Sequence, residues 1–249
     1  MSASASGVPL PAKQPRFVFV VTYGRSGSTL TQGMLNTLPR TLVRGENNLY
    51  LLQLFRAYAG LASFMEKFGG AAAKPSSAFY GLRDAALDTF AASVRDLVQR
   101  QLLGSTDPSD VDRLGFKEVL WHRIKPKEWS DFFDFVDVAF GQPLYVLNRR
   151  DVTMASTSGF WRKKRPGVAE RQINRVRKLQ DFLRESRPDR SFCTEFEAMT
   201  SDDREVAGDQ LRGLAEFVTG GCDDDLLAAL FATREIGHGP NPFGKARNA

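Results

Sequence analysis

The sequence predicts an α/β fold: a single domain with a central parallel sheet flanked by helices. Three observations lead there. Apolar runs of strand length alternate with segments whose apolar residues recur at three- and four-residue steps, as in successive βα units. The first run, Phe17 to Val21, passes into a Gly/Ser/Thr-rich turn, Tyr23 to Thr29, and then into a helix opening near Leu30. The chain has 249 residues, 42% of them hydrophobic and 11% aromatic, which suits one large core better than two full domains.

The elements follow in chain order. Residues 1–15, rich in Ser, Ala and Pro with no apolar run, read as a flexible N-terminus, and the domain as residues 16–249. Phe17 to Val21 is the first strand and Thr41 to Arg44 a short second one. Ala59 to Ser77 contains Gly-Gly, an alanine run and a Pro, the composition of a mobile connection, so a lid over residues 59–80 is expected. Leu87, Phe90, Val94, Leu97, Val98 and Leu102 mark one face of a long helix. Gly115 to Val119 and Leu144 to Leu147 are the third and fourth strands. Ile173, Val176, Leu179 and Phe182 mark another helix, Ser191 to Phe196 the last strand, and Leu211, Leu214, Phe217 and Val218 a further helix. These stripes read as core-facing surfaces.

Composition narrows the function classes. Two cysteines, Cys193 and Cys222, lack C-x-x-C spacing, so neither a disulfide framework nor a structural zinc site is expected. No run approaches the roughly 18 apolar residues a membrane span needs, and a cytoplasmic protein with no transmembrane segment is the expectation. The charge of +5 comes from 34 basic and 29 acidic residues, a balance that suits a small polyanionic ligand and does not suggest nucleic acid. The densest basic run, Arg162 to Arg165, is open to four readings: a solvated patch, an anionic acceptor's contact, the cofactor's rim or a membrane surface.

The turn after the first strand has the shape of a phosphate-binding loop. A P-loop nucleoside triphosphatase needs G-x-x-x-x-G-K-[ST]; laid on that pattern at Gly27, this chain has Thr22 for the first Gly and Ser28 for the Lys. What survives is a run of backbone N–H groups at a helix N-terminus, permissive Gly24 and Gly27, and hydroxyls at Ser26, Ser28 and Thr29. The positive charge sits at Arg25, inside the turn, where a guanidinium offers a forked donor to phosphate-like oxygens without a metal.

YGRSGSTL, Tyr23 to Leu30, resembles the 5′-phosphosulfate loop of the sulfotransferases that use 3′-phosphoadenosine-5′-phosphosulfate (PAPS) as donor. A second segment, YVLNRRDVTMASTSGFW from Tyr145 to Trp161, strengthens the resemblance. In that family a strand, an Arg and a Ser eight residues on bind the donor's 3′-phosphate; here these are Arg150 and Ser158. Arg149 with Thr157 at the same offset is the alternative register. The Arg-Arg-Asp form, lacking the commoner Arg-Asn-Pro, looks closer to bacterial carbohydrate-type members. The resemblance implies a P-loop-like sulfotransferase fold. It makes Tyr23, Gly24, Arg25, Ser26, Gly27, Ser28, Thr29, Arg150 and Ser158 donor contacts, with PAP (3′,5′-adenosine diphosphate) as product and no metal.

Catalytic candidates lie between the two segments. Glu46, in TLVRGENNLY, occupies the place of the family's base after the second strand, and Lys117, at a strand end, resembles its second catalytic cation beside Arg25. Glu118 and His122 are rival bases. The family's His falls two residues after the Lys, where this chain has Val119. In the late Gly/Pro loop Lys245 and Arg247 are candidate 3′-phosphate contacts, against a frayed tail. SFCTEFEA, Ser191 to Ala198, is similar to the family's Tyr-Glu-Asp-Leu segment with its Tyr missing, and transfers no role. The expected reaction moves a sulfonyl group from PAPS to a hydroxyl of a carbohydrate, glycolipid or small molecule. A degenerate P-loop kinase or NTPase and a non-catalytic nucleotide binder of the same fold are the alternatives. Phe55, Tyr58, Phe64, Phe68 and Phe79 read as core or as an apolar approach to the site.

Overall fold

The computed structural model describes residues 14–70, 74–163, 165 and 167–236. Its strands are β1 Arg16–Val21, β2 Thr41–Arg44, β3 Arg113–Glu118, β4 Leu144–Arg149 and β5 Ser191–Glu195. They form one five-stranded sheet in the order β2-β3-β1-β4-β5, every pair parallel. The helices are α1 Ser28–Thr37, α2 Leu51–Phe68, α3 Leu87–Leu103, α4 Trp129–Phe140, α5 Val152–Ser156, α6 Val168–Ser186, α7 Phe196–Met199, α8 Arg204–Thr219 and α9 Asp224–Ile236. None among the described residues is long and apolar enough to cross a membrane.

Strand β1 is apolar without alternation because both of its faces are covered. Phe17, Phe19 and Val21 join Phe116, Tyr145 and Leu147 in a core closed by α3, α4 and α6. Val18 and Val20 join Val146 and Leu144 in a second core closed by α1, α8 and α9. The sheet therefore sits between two helical layers. Side-chain parity along each strand assigns every residue to one layer or the other.

The strand order also locates a site. From β1 the chain runs toward β2 at one edge, while from β4 it runs toward β5 at the other. The connections leaving adjacent β1 and β4 thus diverge, and their C-terminal ends are the place where open α/β sheets bind ligands.

All the expected strands are present: β2 has the expected ends, and the other four are shifted at one end or both. Strand β4 continues two residues past Leu147 because Asn148 and Arg149 find partners inside the fold, and β3 spans Arg113–Glu118 where Gly115 to Val119 was expected. Helix α2 runs on to Phe68, so residues 59–68 of the expected connection are helical. Leu54, Tyr58, Leu61, Met65 and Phe68 recur at three- and four-residue steps there, and the Gly-Gly pair stops the helix. Residues 71–73 of the same stretch lie outside the described residues. Phe55 and Tyr58 pack onto α4 through Phe132 and Phe135, while Phe64, Phe68 and Phe79 form a separate cluster in which Phe64 is exposed.

Candidate active site

The turn between β1 and α1 is braced from behind. Thr22 Oγ1 and Ser26 Oγ lie 2.6 Å apart, both fully buried. Tyr23 OH donates to the Arg150 carbonyl at 2.6 Å and accepts from the Arg150 amide at 2.8 Å. Burial pushes the Tyr23 phenol above its ordinary value, so at neutral pH it keeps the proton it donates. Trp161 Nε1 donates to the Gly24 carbonyl at 2.8 Å. Gly27 has φ 79°, and a Cβ there would fall 2.0 Å from the Phe196 ring, so backbone conformation and close packing both require glycine.

What faces outward is a different set. Arg25 and Thr29 are exposed, and the amides of Ser28 and Thr29 have no acceptor among the described residues. They sit at the positive end of the α1 dipole, where an anion is favoured. The Ser26 hydroxyl, expected among the anion ligands, is buried and shares a hydrogen bond with Thr22. Tyr23 and Gly24 likewise support the turn from within.

The segment after β4 meets this turn. Residue parity places Asn148 on the α1 side and Arg149 on the α6 side. Asn148 donates to the Ser26 carbonyl at 3.0 Å and to Thr22 Oγ1 at 3.3 Å, while its own oxygen accepts from Thr31 and, at 3.2 Å, from Thr194. Arg149 Nε donates to Gln180 Oε1 at 3.1 Å and its NH2 to Asp181 Oδ1 at 2.6 Å, so its guanidinium is engaged away from the turn. Arg150 comes instead to the turn, donating to the Arg25 carbonyl at 3.1 Å and lying 4.5 Å from the Phe196 ring centroid. Its Nε is buried without a hydrogen-bond partner, with the Glu197 carboxylate 3.8 Å away. Ser158 Oγ sits 3.5 Å from Arg25 Nε. Gly159, at φ 56°, lets them approach, since a Cβ there would stand 2.6 Å from Arg25 Nε.

On the other flank, strand alternation sends Lys117 to the α1 face and Glu118 to the opposite one. Lys117 Nζ, on a side chain only 8% exposed, lies 2.7 Å from Oε1 of Glu46, which is 47% exposed. Glu118 is fully buried, and its two oxygens accept backbone amides of Asn47, Leu49, Val119 and Leu120. A carboxylate so used pins the Glu46 loop and has no free oxygen for an acceptor's proton. His122 is half-buried, and burial pushes its imidazole below the ordinary value of 6.5.

Among the residues singled out from sequence, Arg25, Gly27, Ser28, Thr29, Arg150 and Ser158 gather at the C-terminal ends of β1 and β4, and Glu46 pairs with Lys117 beside β3. Lys245 and Arg247 lie outside the described residues, as does Lys164 of the basic run. Sequence reading passed over Asn148, Trp161 and Phe196. Asn148 carries a legible signal, a carboxamide closing an apolar buried strand; Trp161 and Phe196 meet the turn through tertiary contacts alone.

No protein-family model and no curated protein matches the sequence. Among solved structures, the chain is similar to a sulfotransferase domain from the olefin synthase of Synechococcus PCC 7002. The two are 21% identical over 90% of this chain and 80% of that one, with a TM-score of 0.48.

Proposed function

We propose that the protein is a PAPS-dependent sulfotransferase acting on a hydroxyl of a carbohydrate, glycolipid or small-molecule acceptor. One observation carries the reading: two segments separated by 125 residues, each suited to a phosphate, converge through the Arg150 to Arg25 contact. The donor set fits a ligand with two separate anionic groups. Exposed Arg25 and the open amides of Ser28 and Thr29 serve one group, and Arg150 and Ser158 serve the other by exchanging their present contacts, the Glu197 carboxylate 3.8 Å from Arg150 Nε and the Ala155 carbonyl 3.0 Å from Ser158 Oγ, for the ligand.

PAPS supplies the sulfonyl group and departs as PAP. Arg25 and the first turn of α1 hold its phosphosulfate and offset charge growing there, with no reorganisation demanded at the moment of reaction. Lys117 adds a second cation. Glu46 accepts Lys117 at Oε1, and since a carboxylate has about four lone-pair sites it can still take the acceptor's proton. Losing one such electrostatic group raises the barrier by about 2.7–4 kcal/mol, or 10²–10³ in turnover.

The test is ligand-dependent melting followed by transfer from labelled PAPS to a hydroxyl panel. PAP at about 100 times its Kd contributes about 2.7 kcal/mol to stability, an upward Tm shift of about 5–10 °C in a chain of this size. Adenosine 5′-monophosphate is expected to shift it less. Glu46→Gln keeps the PAP shift and loses turnover about 10²-fold or more. Stabilisation by magnesium-ATP with none by PAP overturns the assignment in favour of a degenerate P-loop kinase or NTPase.

A further inference from the structure

We propose a second oxyanion-binding cleft beside the donor loop, built around Arg162 and Arg165. A cavity of about 450 Å³ opens between the end of α5, the 3-10 turn Gly159–Lys163 and the start of α6, with Ser156, Thr157, Trp161, Arg162, Arg165 and Glu170 on its walls. That volume is within the range of small-ligand sites. Neither Arg162 nor Arg165 has an ion-pair or hydrogen-bond partner among the described residues, and both are exposed. A third guanidinium, that of Arg171, lies against the lining residue Gly167, its NH1 3.0 Å from where a Cβ would be. Glu170 is the one carboxylate on the walls, so the cations outnumber it.

The hydroxyls define the ligand class by what they withhold. Ser156 Oγ and Thr157 Oγ1 both donate to the Thr153 carbonyl, at 3.2 and 2.7 Å, and offer the cavity only lone pairs. Recognition therefore falls to the guanidiniums, whose planar forks match phosphate and sulfate oxygens. The occupant is a multiply charged oxyanion, either free or carried on an acidic acceptor. The cleft is separate from the donor's phosphate ligands, because neither Arg150 nor Ser158 lines it. It is nonetheless coupled to them: Trp161 forms one wall and holds the Gly24 carbonyl of the donor turn.

This inference rests on the proposed donor site only for its control. With PAP saturating the turn, pyrophosphate and, separately, glucose 6-phosphate are titrated while tryptophan fluorescence and heat are followed. Saturable binding is expected, with the fluorescence change lost in Trp161→Phe. In Arg162→Ala/Arg165→Ala the Kd is expected to rise about tenfold or more, the loss of one or two charge-assisted contacts. The tighter of the two probes identifies a free anion or an acidic acceptor as the source. If PAP does not bind, the sulfotransferase reading falls by itself, and the titration is repeated without it, using Arg25→Ala to separate the donor turn from the cleft. No saturable binding of either probe, or an unchanged Kd in the double variant, overturns the cleft.

Discussion

Replacing Glu118 with Gln separates an anchoring carboxylate from a catalytic one. Oε1 accepts the amides of Val119 and Leu120 at 2.8 and 3.0 Å, and Oε2 those of Asn47 and Leu49 at 3.2 and 2.7 Å. Glutamine keeps one carbonyl oxygen, so in either orientation its NH2 faces one of the two amide pairs donor to donor. Two hydrogen bonds to a charged acceptor are lost, at about 1.5–3 kcal/mol each. Removing a fully buried charge returns part of that cost. A net destabilisation of about 3 kcal/mol follows, which for this length lowers Tm by about 6–12 °C. Because two of the four pinned amides, those of Asn47 and Leu49, belong to residues just after Glu46, turnover is expected to fall as well, while PAP binding at the β1 turn persists. Thermal melts with and without PAP, together with sulfonyl transfer below the new Tm, read both effects. A variant that melts within about 2 °C of the parent yet transfers nothing would refute the anchoring role and make Glu118 the base.

Arg149→Ala removes contacts to Gln180 and the part-exposed Asp181, and is expected to cost about 1–3 kcal/mol of stability with little change in PAP affinity. Arg150→Ala should do the opposite, weakening PAP far more than adenosine 5′-monophosphate; calorimetry on both variants checks the pair. Gly159→Ala forces a side chain into a left-handed position against Arg25, so it should cost about 1 kcal/mol in urea melts and weaken PAP binding. Burial lowers the His122 imidazole below 6.5, so the unfolded chain takes up its proton first as pH falls. Stability is then lost below about pH 6.5, and His122→Gln should show a shallower fall than the parent between about pH 6.5 and 5 in denaturant titrations.

Periodicity made the sheet legible because both faces of β1 and β4 are buried and their sequences say so. The register at Arg149 and Arg150 is legible too, because strand parity continues past Leu147. Tyr145 and Leu147 belong to the α6 face, so Arg149 follows them there and Asn148 faces α1. The extent of α2 was hidden by Gly and Ala, weak signals in a segment whose apolar steps continue beyond them. The Ser26 hydroxyl meets Thr22 four residues back, but the turn is held in that shape by Asn148, which binds the Ser26 carbonyl from a strand 122 residues away and leaves no local signal.

The position of Arg25 explains how a turn lacking the usual lysine can present a cation. A lysine at the P-loop position would stand on the first turn of α1, where the chain has Ser28. Here the cation is set earlier in the turn, at Arg25, on a residue with φ 68°, a conformation an L-residue adopts at a cost of about 1–3 kcal/mol. The surroundings hold it there. Asn148 fixes the Ser26 carbonyl, Arg150 satisfies the Arg25 carbonyl at 3.1 Å, and Trp161 fixes that of Gly24 at 2.8 Å. With consecutive carbonyls tied inward, the backbone cannot relax to a right-handed turn without breaking buried hydrogen bonds. The side chain is thereby committed to the C-terminal ends of β1 and β4 beside Ser158. Arg150 supports the turn through NH1 and faces the Glu197 carboxylate through Nε at 3.8 Å, so one residue ties the two segments together and a change there acts on both.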